Sequence, residues 1–186
     1  EILKKNSEEL KTEIFSKGHR VPQGLTILNN KVFSVEHGPK GGDELNHVKK
    51  YKNYGWPIVS YGTNYLEDNG GDGKSIKINH EDEGYEEPLF AFVPSVGISA
   101  LNNCPLILKN YYKKPCLMAL SLYGNSLRKG HSLIIFLLSK NLDKVQSIEK
   151  ILLNNLVLRH FVTNEKNIIY EDEEGSIYVS TDKKGI

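Results

Sequence analysis

The chain has 186 residues, of which 39% are hydrophobic and 25% charged, with a formal net charge of +1. That length supports one well-buried domain, and the near balance of charge gives no electrostatic case for nucleic acid or an anionic membrane. The longest apolar run, residues 133–138, is far shorter than the ~20 residues a membrane-spanning helix needs; it reads as a buried strand.

In chain order, the first segment carries two competing patterns. Asn6-Ser7-Glu8-Glu9 resembles a capping box, with Leu3, Leu10 and Ile14 at helical spacing. The alternative is a hairpin of residues 2–5 and 12–15, which the β-rich context that follows favours. Residues 25–28 and 31–35 are apolar, β-branched runs around Asn29-Asn30, a hairpin signature. Further short strands are predicted over residues 44–48, 57–61, 88–93, 95–101, 116–122, 126–138, 145–153, 159–162, 168–171 and 176–180. Such strands, punctuated by Gly, Pro and Asn, predict an all-β sandwich, barrel or propeller. Recurring hairpins at a period of roughly 40–50 residues are typical of propeller blades. The chain begins at Glu1 and stops at Ile186 soon after a strand pattern, so a fragment or processed piece is expected.

Few stretches carry chemistry. Cys104 and Cys116 fit either one disulfide or two unpaired thiols, and no Cys-x-x-Cys or paired His supports zinc. Residues 67–74, Glu-Asp-Asn-Gly-Gly-Asp-Gly-Lys, have an acidic loop character but not the EF-hand pattern. The acidic cluster at residues 81–87 reads as a solvated face. The most informative stretch is Glu36-His37-Gly38-Pro39-Lys40-Gly41-Gly42-Asp43-Glu44-Leu45-Asn46. Its glycines and proline bend the backbone and open its carbonyls, and two adjacent carboxylates follow. Carbonyls plus carboxylates suit a hard cation such as calcium; the same residues also make an ordinary polar hairpin loop.

Four ordered blocks carry a family resemblance. Gly18-His19-Arg20-Val21-Pro22-Gln23-Gly24-Leu25 resembles a Gly-His-Arg-Asn-Pro-Gln-Gly-Leu segment of the soluble quinoprotein sugar dehydrogenases. These are the glucose/sorbosone and aldose sugar dehydrogenases that use pyrroloquinoline quinone (PQQ) and calcium. Residues 36–46 resemble that family's next block almost letter for letter. Asn53-Tyr54-Gly55-Trp56-Pro57 with residues 59–65, then Glu87-Pro88-Leu89 with Pro94-Ser95, match two more. The first two-thirds of the chain is well covered and the last third more loosely.

The resemblance implies a six-bladed β-propeller of which residues 1–186 form a partial domain, the C-terminal half, about three blades. Three blades cannot close a ring, so the missing blades, or a second chain, are implied partners. It also implies oxidation of aldose sugars in the periplasm or outside the cell, with no membrane insertion. Arg20, Gln23 and Arg159 match cofactor-binding positions. Gly38 and Pro39 match carbonyl ligands of the cofactor's calcium, and Glu44 with the Tyr54 carbonyl a structural calcium site. His19 and His37 are read as packing or hydrogen-bonding residues. Phe92 stands where an aromatic covers the pocket in the family, or else is a core residue.

Three positions depart from the pattern: Val21 replaces an Asn, Tyr123 a quinone-binding Lys and Val157 an Arg. No catalytic residue falls in this chain, since the family's general-base His belongs to the missing half. The chain alone is expected not to turn over sugar. The competing reading is a calcium-stabilised propeller that serves as a binding module without catalysis.

Overall fold

The structure, a computed structural model, describes residues 12–63, 76–122, 131–153, 158–162 and 178–181. Within them the fold is antiparallel β-sheet with one short helix. The first sheet runs β1 (Pro22–Leu28), β2 (Lys31–Glu36), β3 (Asp43–Val48), β4 (Phe90–Phe92), in that spatial order. The second runs β5 (Ile98–Asn103), β6 (Cys116–Ser121), β7 (His131–Leu138), β8 (Val145–Leu153). A two-stranded piece pairs β9 (Leu158–Val162) with β10 (Tyr178–Thr181).

The first hairpin forms where the sequence predicts it. Asn29 and Asn30 both take positive φ, 47° and 62°, as a two-residue turn matched to strand twist requires. Most other predicted strands appear with bounds moved by a few residues; residues 126–130 and 176–177 of two of them lie outside the described residues. Residues 57–61 do not form the predicted strand. They follow a tight turn in which the Ile58 and Val59 amides donate to the Gly55 carbonyl, and only Val59 makes an isolated bridge, to Lys77. Residues 12–15 are not a strand either; the rest of that expected hairpin, residues 67–74 and the predicted strand at 168–171 lie outside the described residues.

Alternation sets the layers. From β6, Leu117 and Ala119 face the first sheet, while Cys116, Met118 and Leu120 face the other way. From β7, Ile134, Phe136 and Leu138 face the first sheet, and Leu133, Ile135 and Leu137 the opposite side. Strands buried on both faces read as continuous apolar runs, which explains the unbroken 133–138 stretch. The first core joins Phe33, Val35 and Leu45 of the first sheet to the second. The second core lies on the far face, where Phe161 of β9 joins it. Three sheet layers therefore stack through two apolar seams. Phe92 packs edge-on against Phe90 and Phe136 in the first seam, so of its two readings the core one holds. Gly24 permits the close approach of β1 to β5, since a Cβ there would lie 2.5 Å from the Leu101 amide.

A helix absent from the sequence reading, α1 (Leu106–Tyr112), fills the β5–β6 connection. A disulfide joins Cys104 to Cys116 across its two ends. Among the described residues no helix is long and apolar enough to cross a membrane.

Candidate functional site

The face of the first sheet turned away from the second is polar. Strand register places Ser34 opposite Asn46 and Glu36 opposite Glu44, and all four are buried. Like charges directly across a strand pair repel, so this face needs donors or cations to cover it. Two segments lie over it: residues 16–20, and the loop from Asn53 to Ser60.

Glu36 is fully served. It accepts hydrogen bonds from the Arg20 amide at 2.7 Å, His19 Nδ1 at 3.0 Å and Asn46 Nδ2 at 2.6 Å. His19 accepts from the Ser16 hydroxyl through its other nitrogen and stacks on Tyr54 at 4.5 Å. His37 donates to the Ile98 carbonyl. Both histidines thus hold loops in place, as the sequence reading has them.

Glu44 is not served. Among the described residues its only hydrogen bond comes from Asn46 at 3.2 Å. His80 approaches to 3.9 Å, but burial holds that imidazole below its usual pKa, so it brings no positive charge at neutral pH. Burial, and then the Glu36 carboxylate, push Glu44 up to about 8. Among the described residues this is a buried acid without a counter-charge.

The adjacent Asp43 has a different job, because strand alternation sends it to the other face. It accepts from the Ser95 hydroxyl at 2.7 Å and from the Val96 and Ile98 amides at 3.1 and 3.0 Å. It pins the entry of β5 onto the first sheet. The 81–87 acids also divide. Glu81, Asp82 and Glu83 are exposed as predicted, but Glu86 pairs with Lys49 and Lys52, and Glu87 accepts from the Tyr61 hydroxyl at 2.7 Å. The solvated-face reading therefore fails for the last two.

A small pocket opens beside Glu44, lined by Gly18, Arg20, Glu36, His37, Gly38, Glu44, Tyr54, Trp56, Val59 and Ser60. It brings together four of the seven residues singled out by sequence: Arg20, Gly38, Glu44 and Tyr54. The Arg20 guanidinium donates through Nη1 to the His37 and Gly38 carbonyls at 3.2 and 2.9 Å. It also lies 5.1 Å from the Trp56 ring centroid, a cation–π contact. Its Nε is buried without a partner. Gly38 cannot be replaced without moving the loop, since a Cβ would lie 2.2 Å from the Gly41 and Gly42 carbonyl oxygens. Tyr54 is held by its hydroxyl, which donates to the His47 carbonyl and accepts from the Lys49 amide.

Gln23, Pro39 and Arg159 do not line this pocket. Gln23 sits at a register shift of β1, Pro39 is buried beside Gly62, and Arg159 lies on β9, across the second seam. Val21 is exposed; Tyr123 and Val157 lie outside the described residues. The sequence reading missed Glu36, Asn46 and Trp56. A signal existed for the first two: hairpin register from residue 32 to 48 makes Glu36 and Asn46 neighbours of Glu44.

An orphaned guanidinium nitrogen suits an anionic ligand, and an unpaired buried carboxylate suits a cation. The residues present therefore fit both groups implied by the resemblance. Among the described residues no cluster of three or more His, Cys, Asp and Glu is placed to hold a metal. An ion here would rely on one carboxylate and main-chain oxygens, a donor set for calcium rather than for a transition metal.

The chain resembles known proteins. The family description "Glucose / Sorbosone dehydrogenase" matches residues 3–185. The chain is 38% identical over 93 residues to an aldose sugar dehydrogenase of Escherichia coli, covering 49% of this chain and 24% of that protein. It is 43% identical over 60 residues to a quinoprotein glucose dehydrogenase of Acinetobacter calcoaceticus, covering 32% of this chain and 12% of the relative. A crystal structure of a glucose dehydrogenase superposes with a TM-score of 0.68 at 29% identity, over 93% of this chain and 45% of that one. The chain thus spans less than half the length of these relatives. With nearly all of its residues matched, the chain belongs to the glucose/sorbosone dehydrogenase family.

Proposed function

We propose that this chain is the C-terminal half of a six-bladed propeller that oxidises aldose sugars with PQQ and calcium. The three stacked sheet layers support about three blades, and relatives roughly twice as long supply room for the others. The observation that carries the reading is the pocket in which Arg20, Gly38, Glu44 and Tyr54 meet.

When bound, the quinone supplies a two-electron acceptor and calcium a Lewis acid. This chain's residues bind and orient. Arg20 offers its buried, unpartnered Nε and a fixed positive charge to an anionic ligand. Trp56 holds the guanidinium from one side, and the His37 and Gly38 carbonyls fix it from another. The Gly38 and Pro39 carbonyls are assigned to the cofactor's calcium, and Glu44 with the Tyr54 carbonyl to a structural one. Gln23 and Arg159 are further cofactor contacts in the closed ring. The base that takes the sugar's hydroxyl proton is assigned to the missing half, so the present chain alone does not catalyse.

The Cys104–Cys116 disulfide supports a periplasmic or secreted location, because such bonds persist in oxidising compartments. The binding-module alternative draws on the departures at Val21, Tyr123 and Val157, against which the pocket around Arg20 favours the enzyme. Full-length protein reconstituted with PQQ and calcium should reduce a dye with aldoses. Failure to do so, with the quinone bound, would leave the binding module as the function.

A further inference from the structure

The connection from Cys104 to Cys116 is unusual for a surface loop. Its helix α1, Leu-Ile-Leu-Lys-Asn-Tyr-Tyr, has no buried residue, yet it is apolar on both sides. Leu108 and Tyr112 point inward against the second core, and the Tyr112 hydroxyl donates to Glu149 of β8 at 2.6 Å. The opposite side presents Leu106, Ile107 and Tyr111, exposed by 42%, 52% and 77%. The second core covers one of these two sides and leaves the other open.

Charge identifies the cover. Residues 104–116 contain Lys109, Lys113 and Lys114 and no Asp or Glu, a local +3 within a chain whose net charge is only +1. Among the described residues none of these lysines is in an ion pair. The disulfide and the Cys104 amide to Cys116 carbonyl bond at 3.1 Å tie the two ends together, so the segment stands as a closed finger on the sheet. Aliphatic side chains at a tip, an aromatic with a polar end beside them, and flanking lysines are the composition that settles into a headgroup interface.

We propose that this disulfide-closed finger docks the protein on an anionic lipid surface, with Leu106, Ile107 and Tyr111 entering the headgroup layer and the three lysines facing lipid phosphates. The protein lies on the surface and does not span it. The near-zero net charge conceals this, because it averages over acids outside the segment, most of them distant in sequence, such as those at residues 81–87.

The test is vesicle co-sedimentation of the full-length protein, with phosphatidylcholine vesicles containing or lacking phosphatidylserine. Binding is expected only with phosphatidylserine and should weaken as salt rises. Lys113→Gln with Lys114→Gln should weaken it by about fivefold per lysine. Ile107→Asn with Tyr111→Ser, at unchanged charge, should weaken it comparably; thermal unfolding checks that these exposed changes leave the fold intact. No binding to phosphatidylserine vesicles at low salt would overturn the proposal. So would binding that the Ile107/Tyr111 variant leaves unchanged, which is mere adsorption. If vesicles fail but the lysine variant loses an acidic protein partner, the finger is a protein-docking element instead. None of these readouts depends on sugar oxidation.

Discussion

Glu44 gives the sharpest quantitative expectation. Its carboxyl is raised from 4.5 to about 8 in the folded protein, by burial first and Glu36 second. Between those values the folded state holds a proton that the unfolded state has released, so stability must fall as pH rises. At ~1.4 kcal/mol per pH unit, the cation-free protein loses about 2 kcal/mol by pH 6 and about 3.5 kcal/mol by pH 7, levelling near 5 kcal/mol above pH 8. Calcium at the proposed Glu44 site would replace the proton. Its apparent affinity should therefore rise about tenfold per pH unit up to roughly pH 8, with one proton released per ion in that range. The assay is denaturant unfolding of the full-length protein and its Glu44→Gln variant, with and without calcium, across this window. Taking the difference between the two proteins cancels the titrating groups that do not couple to Glu44. The variant should lose both the pH slope and the stabilisation that calcium gives. If it keeps the wild-type slope and the wild-type calcium response, the argument from the buried carboxyl is wrong.

Other perturbations separate the roles of neighbouring residues. Asp43→Ala removes an acceptor from one hydroxyl and three amides, that of Gly38 among them, and should cost about 3–5 kcal/mol at charge-assisted hydrogen-bond strengths; a calorimetric Tm unchanged from wild type would contradict this. Gly38→Ala drives a Cβ into two carbonyl oxygens and should abolish calcium-dependent PQQ binding while leaving the Glu44-linked rise in Tm with calcium, read by calorimetry. Arg20→Lys keeps the charge but not the planar fork, and should weaken quinone binding with little change in Tm. Cys104→Ser with Cys116→Ser opens a short loop, which should lower stability by about 3 kcal/mol, read from denaturant midpoints.

The strands were legible because their signals are local. Two asparagines at positive φ make one turn, and β6 and β7 are apolar on both faces. The helix was not legible. Leu106-Ile107-Leu108 reads as strand, Pro105 at the N-cap makes no side-chain hydrogen bond, and seven residues are too few to display a period. Residues 57–61 read as strand for the same compositional reason, but they are committed to covering the polar face of the first sheet. The site was half legible. Arg20, Gly38, Glu44 and Tyr54, which the motifs distribute over a quinone contact and two calcium sites, line one pocket, whereas Asp43 and Glu44, one chemical pair in sequence, part to opposite faces through strand alternation. The acidity of Glu44 depends on Glu36 across the hairpin, which only the register reveals.

The central claim is that the Arg20–Glu44 pocket belongs to a calcium-dependent quinone site. Its most direct test is equilibrium binding of PQQ to the full-length protein, titrated with calcium. The account predicts binding that requires calcium and falls by orders of magnitude in Arg20→Ala. Absence of PQQ binding at saturating calcium, or binding that Arg20→Ala leaves intact, would contradict it.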